Sequence, residues 1–403
     1  MPLLLNSKLP EVQTTIFTRM SMLAQQENAV NLSQGFPDFY PDEKLLENIG
    51  KYAVKGFNQY APMMGVEPLR IAISEKVKYC YSIDYSPESE VMVTDGATEA
   101  LFCSIAALVN AGDEVIVFEP AYDSYIPVIR LFGGIPKTVK LHYPDYKIDW
   151  SVVKLMITDK TKMIIINNPN NPAGNILDEE DIAQLTALVE NSNIIILSDD
   201  VYENIVFDGK KHLSLSQSLL KDRSVIVASF GKLYHITGWK LGYVLAPESI
   251  MQEVKKVHQY NVFSVNTPAQ YAIAELLQNP DSYTGLSGFF QEKRDLLAKG
   301  LSEIGFDVLI PEATYFLSAS YKKFSDSGDL EFAQWLTKEH KVATIPFSSF
   351  YEDGTDENVI RFCFAKKNET IEQALENLQK LTPQFYKSYL ISRVKVSNLD
   401  RLY

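Results

Sequence analysis

The sequence predicts an α/β fold: a mostly parallel central sheet with helices on both faces, plus a smaller α+β domain. Two features predict it. Short apolar runs rich in Val and Ile recur through the middle of the chain. They do not alternate with polar residues, which is the pattern of strands covered on both faces. Amphipathic stretches of helical length separate them, and repeated strand–helix–strand units imply parallel pairing.

The strands read in order as "EVMVT" (Glu90 to Thr94), "EVIVFEP" (Glu114 to Pro120), "MIIINNP" (Met163 to Pro169), "NIIILSDD" (Asn193 to Asp200) and "SVIVASF" (Ser224 to Phe230). Between them, "TEALFCSIAALVNAG" and "DEEDIAQLTALVENS" read as helices, the second opening on acidic residues that suit a helix N-terminus. From about Leu286 the texture changes. "FFQEKRDLLAKGLSEIGF" reads as a long helix, "TYFLSAS", "VATIPF" and "VIRFCFA" as short strands, and "ETIEQALENLQKL" as a last helix. The segment up to about Asp42 has no strand–helix rhythm and is expected to pack with this C-terminal unit. The expected division is a large domain over 46–285 and a small domain over 1–45 and 286–403.

Composition narrows the function classes. The 403 residues are 46% hydrophobic and 22% charged, with a formal net charge of -13. Such a charge opposes nonspecific nucleic-acid binding and docking on anionic membranes. The three cysteines, Cys80, Cys103 and Cys363, have no metal-binding spacing and suit a reducing compartment. No signal peptide or membrane-length apolar run is read, so a cytoplasmic protein is the expectation.

Ligands of open parallel sheets bind beyond the carboxyl ends of the strands. The strand tails here are "DGATEAL", "AYDSY", "NPNNPAGN", "SDDVYE" and "SFGKLYHITGWK". Taken singly, each has an ordinary explanation. Gly-small turns before helices are common, Tyr122 suits packing, and Asn and Pro shape turns. Asp199 suits a helix cap, and Lys232 a surface loop. His235 reads as a packed histidine. Two lysines amid apolar residues, Lys232 and Lys240, are harder to dismiss, because burying an ammonium without a partner is costly.

Taken together, "NLSQGFPDF", "NQYAPMMG", "DGATEAL", "NNPNNPAG", "SDDVYE", "SFGKLYHITGWKLGYV" and "VIRFCFA" resemble the fold-type-I pyridoxal-phosphate enzymes, specifically the class I/II aminotransferases. "IFTRMSMLAQQENAVNLSQGFPDF" is similar to the methionine and kynurenine/glutamine aminotransferase branch. The resemblance implies pyridoxal 5'-phosphate as cofactor, with Lys232 at the Schiff-base position and Lys240 at the phosphate-binding cation. Gly96, Ala97, Thr98 and Ser229 would also serve the phosphate, as would Tyr60 from a neighbouring subunit, implying a homodimer with shared active sites. Tyr122 would stack on the ring, Asp199 would pair with the ring nitrogen, and Asn171 and Tyr202 would bond the 3-oxygen. Arg361 would hold the substrate α-carboxylate beside Gly35 and Asn171, with Phe17 and the partner-chain Phe263 as pocket walls. Leu233, Asn170 and Ser264 depart from residues common in relatives.

The implied reaction is transamination between a neutral, bulky L-amino acid and a 2-oxo acid, with Lys232 as acid and base. A carbon–sulfur β-lyase on the same scaffold needs the same cofactor residues. A non-enzymatic regulator or nucleotide-binding module is the other rival. The first would release a thiol from a cysteine conjugate. The second would want a DNA-binding segment before Phe17 or a G-x-G-x-x-G turn, and neither is present. Dicarboxylate-specific relatives carry a second arginine in the segment from Asn261 to Pro268, which has none here.

Overall fold

A computed structural model describes residues 3 and 5–381. The end of the expected small domain, 382–403, lies outside the described residues. In chain order the strands are β1 (Val30–Asn31), β2 (Val91–Thr94), β3 (Glu114–Glu119), β4 (Ile135–Lys140), β5 (Thr161–Asn167), β6 (Ile195–Asp199), β7 (Ser224–Ser229) and β8 (Gly242–Leu245). They continue with β9 (Asp307–Leu309), β10 (Phe316–Ser320), β11 (Val342–Ala343), β12 (Ile345–Pro346) and β13 (Val359–Cys363).

The residues fall into two compact units. The larger comprises Met1–Gln13, Phe39–Phe289 and Glu312–Thr314. Its seven-stranded sheet has the order β2-β8-β7-β6-β5-β3-β4. Pairing is parallel except around β8, which runs against both β2 and β7. All five expected strands are present. β4 and β8 were not read from the sequence, for different reasons. "IPKTVK" lies at the sheet edge, half-exposed, so it lacks a continuous apolar run. "GYVL" is buried throughout but only four residues long.

The helix Gly96–Leu108 packs Leu101, Ile105 and Leu108 into the core formed by Val115, Val117, Val227 and Val244. Truncating a fully buried Leu such as Leu101 to Ala in a core of this kind costs about 2–5 kcal/mol. The helix Glu179–Val189 starts with a reciprocal cap, in which Asp178 accepts from the Asp181 N–H and Asp181 accepts from the Asp178 N–H.

The smaller unit comprises Thr14–Asp38, Phe290–Pro311 and the described residues from Tyr315 onward. Its antiparallel sheet has the order β12-β13-β10-β9, and β1 pairs in parallel with β11. The division departs from the expected boundaries. Residues 14–38 contain a helix, Ile16–Gln26, that the missing rhythm did not suggest. The described residues up to Gln13 group with the larger unit, where Glu11 pairs with Arg130 at 3.4 Å. Residues 39–45 and 286–289 also join it. So do Glu312–Thr314, because the Glu312 and Ala313 N–H groups donate to the Gly174 carbonyl at 2.8 and 2.9 Å. Among the described residues, no helix is long and apolar enough to cross a membrane.

Candidate active site

In the larger unit, register brings the strand tails level. Thr94 and Ser229, the last residues of β2 and β7, both pair with Gly242, the first residue of β8. Because β8 runs the opposite way, it begins where its neighbours end. Lys240, two residues earlier, therefore arrives beside the turn that opens the helix Gly96–Leu108. A Cβ built on Gly96, whose φ is +73°, would lie 3.4 Å from Lys240 Nζ. Lys240 itself has φ 54°, a left-handed conformation that costs a non-glycine residue about 1–2 kcal/mol. Gly242 was not among the expected site residues. A Cβ there would sit 2.7 Å from the Ala228 carbonyl oxygen and 2.9 Å from the Ala97 nitrogen. Glycine thus lets the helix start seat directly on the sheet. The first turn of that helix presents backbone N–H groups with no intrahelical partner, and Lys240 adds a cation. Together they form a place for an anion.

Asp199 ends β6 in register with Asn167 of β5. It is 3% exposed, and burial pushes its carboxyl up to about 6. Three groups act the other way: the Tyr125 hydroxyl, donating at 2.6 Å, the Val201 N–H, and the positive charge of Lys232. Burial, with the Asp199 carboxylate beside it, pushes the Tyr125 hydroxyl well above its ordinary range, so it stays a donor. Tyr125 was missed in the sequence, where Tyr122 in the same "AYDSY" tail was chosen. Its ring meets that of Tyr122 edge-on at 5.6 Å. Burial, then the Asp123 charge, pushes the Tyr122 hydroxyl up, and the nearby Thr98 side chain acts the other way. Lys232 Nζ lies 5.6 Å from the centre of the buried Tyr202 ring. Asn167 donates from Nδ2 to the Asp199 carbonyl at 2.9 Å and accepts the Asn171 N–H at 2.7 Å. Asparagine 167 thus joins the loop bearing Asn171 to the strand bearing Asp199.

Tyr60 and Phe263, both expected to serve a neighbouring subunit, lie side by side. Their ring centres are 5.7 Å apart, and they are 84% and 44% exposed. The three departures from relatives have local roles. Leu233 is buried, Asn170 accepts the Ala173 N–H at 3.0 Å, and Ser264 donates to the Ala61 carbonyl at 3.1 Å.

In the smaller unit, Arg361 lies on β13. A lone arginine on a strand is ordinarily exposed, but Arg361 is 1% exposed. Its guanidinium carbon lies 3.7, 5.0 and 5.3 Å from the ring centres of Phe316, Phe350 and Phe17. A planar guanidinium suits such stacking, which fixes its plane. Its Nη2 donates to the Ser33 carbonyl at 3.2 Å. Gly35 allows the close approach of its segment, since a Cβ there would lie 2.6 Å from the Phe316 ring. The Gly35 carbonyl accepts from Tyr315 at 2.6 Å. Phe17 therefore faces the Arg361 guanidinium, and Gly35 lies against the Phe316 ring on which that guanidinium stacks.

Comparison with known proteins decides the family. Residues 27–378 match the profile of aminotransferase class I and II. The chain belongs to the class I and II aminotransferases. A methionine aminotransferase of Escherichia coli is 47% identical over 382 residues, covering 94% of this chain and 99% of the relative. A kynurenine–oxoglutarate transaminase of Dictyostelium discoideum is 36% identical, covering 91% and 94%. A solved methionine aminotransferase structure from Escherichia coli superposes with a TM-score of 0.92 and 47% identity, covering 94% of this chain and all of the other. The protein is an aminotransferase of the fold-type-I architecture expected from its sequence. Enzymes of this family depend on pyridoxal phosphate, and the donor set of the larger unit fits that group. It offers an anion place at a helix start with a lysine beside it, a second lysine, and a buried carboxylate able to take a ring cation.

Proposed function

We propose that this aminotransferase uses pyridoxal phosphate to exchange amino groups between a neutral, bulky L-amino acid and a 2-oxo acid. Methionine, aromatic or kynurenine-like donors are the intended class. The carrying observation is a buried Asp199 that feels the positive charge of Lys232, apart from a second lysine placed beside the Gly96 turn for an anion. The cofactor supplies an electron sink for the charge that develops at the substrate α-carbon.

The residues divide the work. The N–H groups of Gly96, Ala97 and Thr98, the hydroxyls of Thr98 and Ser229, and Lys240 hold the phosphate. Asp199, kept in place by Tyr125, holds a proton on the ring nitrogen. Tyr122 would lie against the cofactor ring, and Asn171 and Tyr202 would donate hydrogen bonds to its 3-oxygen. Lys232 Nζ takes the proton from the amino-acid Cα and returns it during transfer, as general base and then acid. Arg361 takes the α-carboxylate through its fork, with Gly35 and Phe17 of the same unit, and Asn171 of the larger unit is assigned to the same substrate. The exposed Tyr60 and Phe263 serve the neighbouring subunit of a homodimer.

Replacing Arg361 by Ala removes hydrogen bonds to a charged group, about 1.5–3 kcal/mol. The expected result is a fall in kcat/KM of roughly tenfold to hundredfold. It should be similar for every donor, because all share the α-carboxylate. A fall confined to one donor would contradict the role.

Donor choice tests the proposed substrate class. A distal carboxylate placed against Phe17 and Phe263 would be desolvated without a dedicated arginine, which is costly. Methionine and aromatic side chains instead bury apolar area there at about 25 cal/mol per Å². Measured against a common 2-oxo acid, methionine, phenylalanine or kynurenine should exceed aspartate in kcat/KM. Aspartate as the best donor would overturn the pocket while leaving the cofactor site intact.

A further inference from the structure

Behind the anion-binding turn lies a buried trio whose side chains take no part in the chemistry above. Glu99 stands in the first turn of the helix Gly96–Leu108, Cys103 one turn later, and His258 near the end of the helix Glu248–Asn261. All three are buried, Cys103 and His258 fully. Glu99 Oε2 accepts the Asp95 N–H at 3.1 Å, which fixes the turn immediately before Gly96. Glu99 Oε1 accepts from the Cys103 thiol at 2.8 Å and faces His258 Nδ1 at 2.9 Å. On its other side, His258 Nε2 meets the Met63 carbonyl at 3.0 Å. These ligand-type atoms lie within 4.8 Å of one another. Their spacing is that of hydrogen bonds. Burial, and then the Glu99 charge, push the thiol of Cys103 well up, so it remains a donor.

The donor count is informative. A backbone carbonyl only accepts, so His258 Nε2 must carry a proton. An ionised Glu99 also only accepts, so the Nδ1–Oε1 contact needs a second proton. Glu99 and His258 therefore share a proton between Oε1 and Nδ1, while the Asn261 side chain donates to the Cys103 sulfur at 3.7 Å. Through Met63 this pair reaches the segment bearing Tyr60. That segment is anchored at two more points from the same side of the chain. Ser264 donates to the Ala61 carbonyl at 3.1 Å and Thr267 to the Gln59 carbonyl at 2.6 Å.

We infer that Glu99 and His258 are positioning residues that lock the phosphate-holding turn of a protomer to its own Tyr60 segment. The turn serves the protomer's own cofactor, and the segment serves its neighbour's. One buried pair thus sets the phosphate contacts of both sites. The inference rests on reading Gly96–Thr98 and Tyr60 as phosphate-binding groups.

The test compares two ligands that differ only in the phosphate. Full-length protein freed of cofactor is titrated with pyridoxal phosphate and, separately, with pyridoxal, following fluorescence quenching. Glu99→Ala removes its contacts to Asp95, Cys103 and His258 and should weaken pyridoxal phosphate at least about tenfold while changing pyridoxal by less than about threefold. Glu99→Gln should bind both ligands within about threefold of wild type, because its amide accepts from Asp95 and donates to Nδ1 of a neutral imidazole, giving up only the weak thiol bond from Cys103. His258→Phe keeps an aromatic ring, slightly larger, without the two nitrogens. It should show the same phosphate-selective loss, and it stands as the second variant if Glu99→Ala does not fold. Unchanged pyridoxal-phosphate binding in the variants, or equal weakening of both ligands, would overturn the positioning role alone. A wild-type protein that binds no pyridoxal phosphate would overturn the proposed function with it.

Discussion

Lys232→Ala is expected to lose transamination and the visible absorption band of the cofactor-loaded protein together. The turnover number should fall at least about a thousandfold, which is about 4 kcal/mol of barrier. General acid–base transfer by a positioned side chain commonly contributes between about a hundredfold and ten-thousandfold. Lys232 is assigned both proton movements at the substrate α-carbon, so the fall should lie towards the upper end. Pyridoxal phosphate should remain bound, because the turn at Gly96 and Lys240 is untouched. A spectrophotometric assay of oxo-acid formation, with a visible scan of the same sample, reads both effects. Turnover at the wild-type rate would sink the assignment of Lys232.

Asp199→Ala should produce the second large effect, a fall in kcat of at least about a hundredfold, or about 2.7 kcal/mol. The variant removes the carboxylate assigned to the ring nitrogen and leaves the groups assigned to the phosphate. A rate within about threefold of wild type, under about 1 kcal/mol, would contradict the role. The same residue has a signature in stability. Its carboxyl titrates at about 6 in the folded, cofactor-free protein, against an ordinary 3.8. Well below the unfolded value of 3.8, both folded and unfolded states hold the proton and nothing is lost. As the pH rises to about 6, the unfolded chain releases its proton first, and the fold loses up to about 3 kcal/mol. Asp199→Asn removes that loss. The cofactor-free variant should therefore melt above wild type at neutral pH, with the gap closing towards pH 4. A gap of constant size across that range would show that Asp199 is not held protonated by burial.

Much of this was legible in the sequence. Strands covered on both faces leave unbroken Val and Ile runs, so β2, β3, β5, β6 and β7 declared themselves and led to the residues at their ends. β4 and β8 did not, one being polar at an edge and the other too short. The reversal of β8 mattered most for the site, because it carries Lys240 back to Gly96. Lys232, Asp199 and Arg361 were read by family resemblance, since no pattern distinguishes a reactive lysine from a surface one. The burial of Arg361 among three phenylalanines depends on pairings between distant segments of the chain. Tyr125 escaped notice because only the fold aims its hydroxyl at Asp199. Gly242 escaped because its importance lies in a Cβ that is absent. Glu99 stood in plain sight within "DGATEAL", but its partner His258 is 159 residues away and no spacing rule joins them.

The two lysines of "SFGKLYHITGWK" are assigned opposite tasks, Lys232 for chemistry and Lys240 for an anion. Borohydride reduction of the purified holoenzyme, followed by peptide mapping, distinguishes them directly. The account predicts a phosphopyridoxyl group fixed to the peptide at Lys232, with Lys240 unmodified. The group on Lys240, or on no lysine at all, would contradict it.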